Sequence, residues 1–219
     1  MADIVRCFIG YDEREASAYH VCCQSILEHT KAQVSFHPVR GTQRDGSNSF
    51  TYARFLVPYW CRFQGHAIFL DGDMTVRGDI EELWRDRMAG YVGVQVVKHD
   101  YKTQHPVKYL GAKNEDYPRK NWSSVVLWNC AFAPNSALTP EFVSTQPGSF
   151  LHRFQWLRDE HIGDLPAAWN HLCMEYEPNS KAKLYHYTIG LPGFIGYSEQ
   201  EGAEEWRREL AAACAPMMV

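Results

Sequence analysis

The sequence predicts an α/β fold in which a mostly parallel sheet is covered by helices on both faces, and three observations carry that expectation. Short apolar runs of strand length alternate with segments of helical period along the chain. The hydrophobic share, 45% of 219 residues, is enough to fill one continuous core. No internal repeat or low-complexity segment breaks the alternation, and the length favours one large domain over residues 1–219 rather than two.

Taken in order, Ile4 to Ile9 is an apolar run suited to a buried strand, ending at the turn Gly10-Tyr11-Asp12. Asp12 can cap a following helix with Glu15 three residues on, and Ala16, Tyr19, Cys23, Ile26, Leu27 and Thr30 fall near one helical face. Val34 to Val39 reads as a second strand, Arg40 to Asn48 as a polar loop, and Ser49 to Phe63 as a helical segment bent at Pro58. His66 to Leu70 is a strand that runs straight into Asp71-Gly72-Asp73. Asp79 to Trp84 is a short helix with an acidic first turn, and Tyr91 to Val97 is another buried strand. Residues 98–123 show no period, a length of loop that points to function. Ser124 to Phe132 returns to strand, Phe150 to Arg158 to helix and Leu184 to Thr188 to strand. Ser198 to Ala213 closes the chain as a helix, with Ser198 and Glu201 as a capping box and Trp206 and Leu210 facing inward.

Composition narrows the partners. With 22 basic and 26 acidic residues the net charge is −4, which argues against a nucleic-acid binder. Seven cysteines are scattered without a CxxC pair, so reduced core thiols are expected in place of a disulfide framework or a zinc cluster. No apolar run reaches the ~18 residues of a membrane span and the start of the chain lacks a signal-peptide pattern. A cytoplasmic protein is expected, with peripheral attachment at the inner membrane face left open. The sequon Asn121-Trp122-Ser123 is then a chance occurrence.

Asp71 and Asp73 lie at the carboxyl end of a strand, where open α/β sheets bind ligands. Residues two apart on an extended backbone face the same way, so both carboxylates can meet one divalent ion, and Gly72 leaves room for a phosphate. Three readings of Phe69 to Val76 stand side by side: a capped turn facing water, the nucleophile motif of haloacid-dehalogenase-like phosphatases, and the metal-binding DxD of nucleotide-sugar glycosyltransferases. The phosphatase reading needs a later acidic cluster that Gly163-Asp164-Leu165-Pro166 does not begin, and places its motif on the first strand.

Several further segments resemble the retaining GT-A glycosyltransferases of family 8, which include glycogenin and bacterial lipopolysaccharide galactosyltransferases. Thr51-Tyr52-Ala53-Arg54-Phe55 is similar to the family's YAR segment. Asp71-Gly72-Asp73 with Leu83-Trp84 resembles its DxD strand and following LW, and Leu127-Trp128-Asn129-Cys130-Ala131 stands where the family has FNAG. His186-Tyr187-Thr188-Ile189-Gly190 resembles its late HxxG motif. The chain departs from the pattern in three places. The late motif is one residue longer, the lysine that normally follows it is absent from Leu191-Pro192-Gly193-Phe194, and the DQD segment has only Asp159-Glu160-His161 as its nearest counterpart.

The resemblance implies a GT-A fold and a metal-dependent transfer of a hexose, with retention, from a nucleotide sugar, UDP-linked, to a glycan, lipid-linked or other acceptor. It implies Asp71, Asp73 and His186 as ligands of Mn²⁺ or Mg²⁺, the imidazole favouring Mn²⁺. Phe8, Ile9, Gly10 and Tyr11 would hold the nucleoside, with Tyr11 stacking on the base and Gly190 in the late motif beside the donor. Arg14 and Arg54 are the nearest cations, and Arg54 would need a phosphate or a DxD carboxylate as partner once buried. Asn129 would bond the donor sugar and Asp159 would orient the acceptor. Segment 98–120 sets six basic side chains against three acidic ones, which suggests a lid in which Lys98 or Lys120 replaces the missing lysine. Trp156 and Trp169 are expected in the core ahead of stacking on sugars. A catalytically silent nucleotide-sugar binding domain, a sugar-phosphate nucleotidyltransferase and assembly as a homo-oligomer remain alternatives.

Overall fold

A computed structural model describes residues 3–41, 44–45, 48–88 and 90–215. Of the loop expected over 40–48, Thr42, Gln43, Gly46 and Ser47 lie outside the described residues.

Six strands form the main sheet in the order β2-β1-β3-β6-β5-β7: β1 Val5–Gly10, β2 Val34–Val39, β3 His66–Leu70, β5 Val94–Val96, β6 Val125–Asn129 and β7 Ile162–Asp164. β1 pairs in parallel with β2 and β3, and β5 with β7, while β6 runs antiparallel to both its neighbours. The mostly parallel sheet therefore contains one reversed strand. Its central strands are apolar on both faces because each face is covered. Phe8, Ala67, Phe69, Val126 and Trp128 fill one face, and Cys7, Ile9, Ile68, Leu70, Val125 and Leu127 fill the other. β2 is an edge strand and so accommodates Pro38.

The second face is covered by α1, Ala16–His29, whose buried side chains are Ala18, Val21, Cys22, Ser25 and Ile26. The expected face is thus rotated, and Leu27 is exposed. The rotation follows the start of the helix. Asp12 caps a 3₁₀ turn over Glu13–Glu15 by accepting from the Arg14 amide, and α1 begins one turn later than the capping pattern implies. Ser25 then accepts from the Val76 amide at 2.9 Å, which ties α1 to β4, Met74–Val76.

β4, too short to leave a sequence signal, opens a second sheet in the order β4-β9-β8, with β8 at His171–Leu172 and β9 at Leu184–His186. Its antiparallel pairing with β9 sets Met74 opposite His186. This register carries the late histidine to the DxD turn, where the Tyr187 amide donates to the Asp73 carbonyl at 3.0 Å.

The other departures are local. Ser49 to Phe63 is not one bent helix. It is a 3₁₀ turn at Ala53–Leu56 followed by α2, Val57–Trp60, with Pro58 in the first turn, where its missing amide costs nothing. α3 spans Ile80–Arg85, capped by Asp79, and α4, Pro140–Thr145, is a helix for which the sequence pattern gives no expectation. The helix expected at Phe150 to Arg158 is α5, Gly148–His152, ending before Phe154 at φ 53°. α6 covers Ala203–Ala213 and starts from Gly202 at φ 77°, not from a Ser198–Glu201 box. Only glycine fits there, since a Cβ would meet the Tyr185 ring at 2.5 Å, and Glu201 turns inward to His171.

Candidate active site

β1 and β3 end side by side, Ile9 opposite Leu70, and the chain bends at Asp71-Gly72-Asp73 before β4. Gly72 sits against β1: a Cβ there would lie 2.3 Å from the Gly10 carbonyl oxygen. Its small size serves this backbone contact rather than the phosphate room expected of it. Because β6 is reversed, its first residues arrive at this same corner, and the Asp71 amide donates to the Ser124 carbonyl at 2.9 Å.

The two carboxylates meet His186 here. Ligand atoms of Asp71, Asp73 and His186 all lie within 4.8 Å of one another, with His186 Nε2 3.4 Å from Asp73 Oδ1 and 4.0 Å from Asp71 Oδ2. The imidazole is held from behind. Asn170 donates through Nδ2 to Ser124 Oγ at 2.8 Å and turns its Oδ1 to His186 Nδ1 at 3.0 Å. An amide oxygen only accepts, so Nδ1 carries a hydrogen and Nε2 is the ring atom that faces the carboxylates. Asp73 Oδ1 is buried with no hydrogen-bond partner. A buried carboxylate oxygen left without a partner beside a second carboxylate and an imidazole nitrogen calls for a cation, so these residues fit a divalent ion with oxygen and nitrogen ligands.

Arg54 supplies a fixed positive charge. Its Nη1 lies 2.7 Å from Asp71 Oδ1 and donates to the Ser123 carbonyl at 2.9 Å, while the guanidinium rests near the Phe50 and Phe69 rings. Burial pushes Asp71 up to about 6 against the pull of Arg54. Burial also opposes ionisation of Asp73, but His186 and Lys108 outweigh it and hold that carboxyl below its ordinary value.

Two residues were missed by sequence reasoning. Glu15, whose spacing from Asp12 fits a helix cap, is 5% exposed, leaves Oε1 without a partner and sits in the field of Asp73, Asp12 and Asp71. Lys108 donates to Thr188 Oγ1 at 3.1 Å, which holds its ammonium beside the DxD pair. Only its place among the lysines of the aperiodic segment could have marked it.

A cavity of about 560 Å³ opens over this corner, within the ~300–1,000 Å³ of small-ligand sites. Arg14, Lys108, Lys113 and Lys120 give its wall positive charge, and Ser123 with His152, 2.7 Å apart, gives it neutral polar groups. Segment 98–120 forms part of the wall and is anchored rather than hinged as a lid. Buried Glu175 accepts from Thr103 Oγ1, the Gln104 amide and Asn114 Nδ2 at 2.5–2.9 Å, and Lys120 donates to Asn114 Oδ1 at 2.7 Å.

Of the residues expected at the site, Arg14, Arg54, Asp71, Asp73, Lys120 and His186 line the cavity. The others do not. Phe8 is stacked between His37 and Trp60, and Ile9 is fully buried on the opposite face. A Cβ on Gly10 would strike the Phe50 ring at 2.7 Å and one on Gly190 the Tyr197 ring at 2.8 Å, so these glycines answer to packing. Tyr11 packs edge-on against Tyr19. Lys98 pairs with Asp164 outside the cavity, and Asp159 is exposed and paired with Arg119. Asn129 lies at the far end of reversed β6, opposite His66, and donates to the Val92 carbonyl. Trp169 is buried and Trp156 packs on Trp128, both as core residues.

Comparison with known proteins gives a consistent picture. A family model described as Glycosyl transferase family 8 matches residues 14–134. Protein CDI of Arabidopsis thaliana is 40% identical over 222 residues, covering 94% of this chain and 85% of that protein. The fold is shared with solved structures of low identity. The galactosyltransferase LgtC, solved with donor and acceptor sugar analogs, superposes with a TM-score of 0.66 at 14% identity, covering 98% of each chain. The bifunctional glycosyltransferase WbbM gives 0.68 at 15%, covering 96% of this chain and 50% of its own. Mouse xyloside xylosyltransferase 1 gives 0.58 at 14%, covering 87% and 100%.

Proposed function

The chain belongs to glycosyl transferase family 8 and is a GT-A glycosyltransferase, and on that premise we propose that residues 1–219 act as one domain that moves a hexose, with retention, from a UDP-sugar to a glycan or lipid-linked acceptor with the help of Mn²⁺. The observation that supports the metal requirement is the buried Oδ1 of Asp73, which has no hydrogen-bond partner and lies 3.4 Å from Nε2 of His186. Imidazole in the ligand set favours Mn²⁺ over Mg²⁺.

The barrier to transfer is departure of the diphosphate with its developing negative charge. A divalent ion bound by Asp71, Asp73 and His186 would neutralise part of that charge as a Lewis acid. The chain's own residues supply the rest of the environment. Arg54 fixes one Asp71 oxygen and leaves the other turned toward His186, while Asn170 fixes the tautomer of His186. Lys108, held by Thr188, puts a positive charge beside the acidic pair and takes the part of the lysine that the late motif lacks. Arg14 is gripped by Asp12 through two hydrogen bonds of 2.9 and 2.8 Å, so it meets the donor as an oriented cation. Ser123 and His152 offer uncharged hydrogen-bonding groups suited to sugar hydroxyls.

Purified protein with Mn²⁺ is expected to release UDP slowly from one UDP-sugar, and Asp73→Ala to abolish that release. Calorimetric titration with UDP and GDP, each with and without Mn²⁺, tests the donor assignment. If neither nucleotide binds more tightly with the metal present, the proposal fails.

A further inference from the structure

We propose that His171, Cys173 and Glu201 form a second metal site, specific for zinc or a similar thiophilic ion and independent of the DxD centre. Their ligand atoms all lie within 4.8 Å of one another, and His171 Nε2 is 2.8 Å from Glu201 Oε2. His171 stands on β8 and Cys173 opens the turn that follows it, and the two ligand atoms meet beside the small sheet. Glu201 comes from the turn before α6 and is oriented by the Asn179 amide, which donates to its Oε1 at 2.6 Å.

The donor set selects the ion. One sulfur, one nitrogen and one carboxylate oxygen match tetrahedral zinc chemistry, with the fourth position left to water. Ca²⁺ and Mg²⁺ need several oxygen ligands and find one here. Charge also balances: a dication with one thiolate, one carboxylate and a neutral imidazole sums to zero, the state best tolerated in apolar surroundings. Those surroundings are present, since Cys173 is fully buried in a cluster with Ala18, Val21, Tyr187, Leu191 and Trp206. Zinc bonds of about 2.0–2.3 Å place ligand atoms ~3.3–3.6 Å apart, so seating the ion takes side-chain rotations of about an ångström. On binding, the Cys173 thiol loses its proton to solvent and the imidazole hydrogen moves to Nδ1, freeing Nε2.

The site would brace the active centre without entering it. The Cys173 amide donates to the His186 carbonyl at 3.0 Å, and β8 pairs with β9 directly behind that histidine. An ion at His171 and Cys173 would fix the strand from which His186 projects.

Titration of the full chain with Co²⁺ tests this, because a thiolate ligand gives cobalt a charge-transfer band in the near ultraviolet and the DxD centre contains no sulfur. Exposed Cys214 is replaced by serine throughout. The band is expected to saturate at one ion per chain, to persist in Asp73→Asn and to vanish in Cys173→Ser. Glu201→Gln, which keeps the side-chain volume, is expected to weaken Zn²⁺ binding about 100-fold while the circular dichroism spectrum stays unchanged. A cobalt spectrum without the band, or one that Cys173→Ser leaves intact, overturns the proposal whatever the glycosyltransferase assays give.

Discussion

Nη1 of Arg54 lies 2.7 Å from Oδ1 of Asp71, and the two side chains are only 7% and 14% exposed. Removing one member of such a buried pair leaves the other uncompensated, a loss of about 3–5 kcal/mol. Arg54→Met is therefore expected to lower stability by that order in urea denaturation at pH 8. The loss shrinks at pH 5, where Asp71, already pushed up to about 6 by burial, takes a proton instead. Adding Asp71→Asn to Arg54→Met should recover part of the stability. An equal loss at both pH values would show that packing, not charge, is what Arg54 provides.

Lys108 and Lys98 separate two readings of the basic segment. Lys108→Ala is expected to weaken UDP binding about 10- to 100-fold, the worth of one charge-assisted hydrogen bond. Uridine, which lacks the diphosphate, should bind both proteins alike. Lys98→Ala should bind UDP as the native chain does, because Lys98 is engaged with Asp164 away from the cavity. Titration calorimetry with the three proteins gives the comparison.

Glu15 is pushed up to about 8, first by burial and then by Asp73, Asp12 and Asp71. A folded-state value above the unfolded one, near 4.5, means that the stability tied to the protonated form is complete below pH 4.5 and lost as pH rises toward 8. Glu15→Gln mimics the protonated acid. It should gain on the native chain with rising pH, by roughly 4 kcal/mol at pH 8 when chelator removes all metal. A stability difference between the two that is flat from pH 5 to pH 8 would contradict this.

His152 and His99 run the other way. Each is pushed down to about 3, by burial first, with Arg54 adding to the effect at His152 and His186 with His171 at His99. Both are neutral when folded and take up protons near 6.5 when unfolded, so their contribution is complete above about pH 6.5 and drains away as pH falls toward 3. Taken by themselves the two histidines lower stability between pH 6 and pH 4, against the opposite contributions of Glu15 and Asp71 over the same range. His152→Gln should flatten that slope by up to one proton, read from melting temperatures across the range.

The sequence made β2 and β3 legible to the residue, because a buried strand is a short apolar run with sharp ends. The family resemblance, not any pattern in the residues, put Asp71, Asp73 and His186 in one cluster, since β4, the strand that joins them, is three residues long and below any periodic signal. The direction of β6 was not legible. An apolar run reads the same both ways, and reversal moved Asn129 to the far end of the sheet while bringing Ser123 and Ser124 to the site. Glu15 was misread because a capping pattern and a buried acid share one local spelling. Lys108 could not be told from Lys98, since a segment held by Glu175 has no period from which to infer its inward side.

Glu175 also bears on how the protein meets its substrate. Thr103, Gln104 and Asn114 all donate to that one carboxylate, so the wall of the cavity is assembled during folding. The entropy of ordering it is not charged again at each encounter. Donor capture should then show a small heat-capacity change and an association rate insensitive to viscogens that slow loop closure, while Glu175→Gln should convert the same segment into one that orders only on binding.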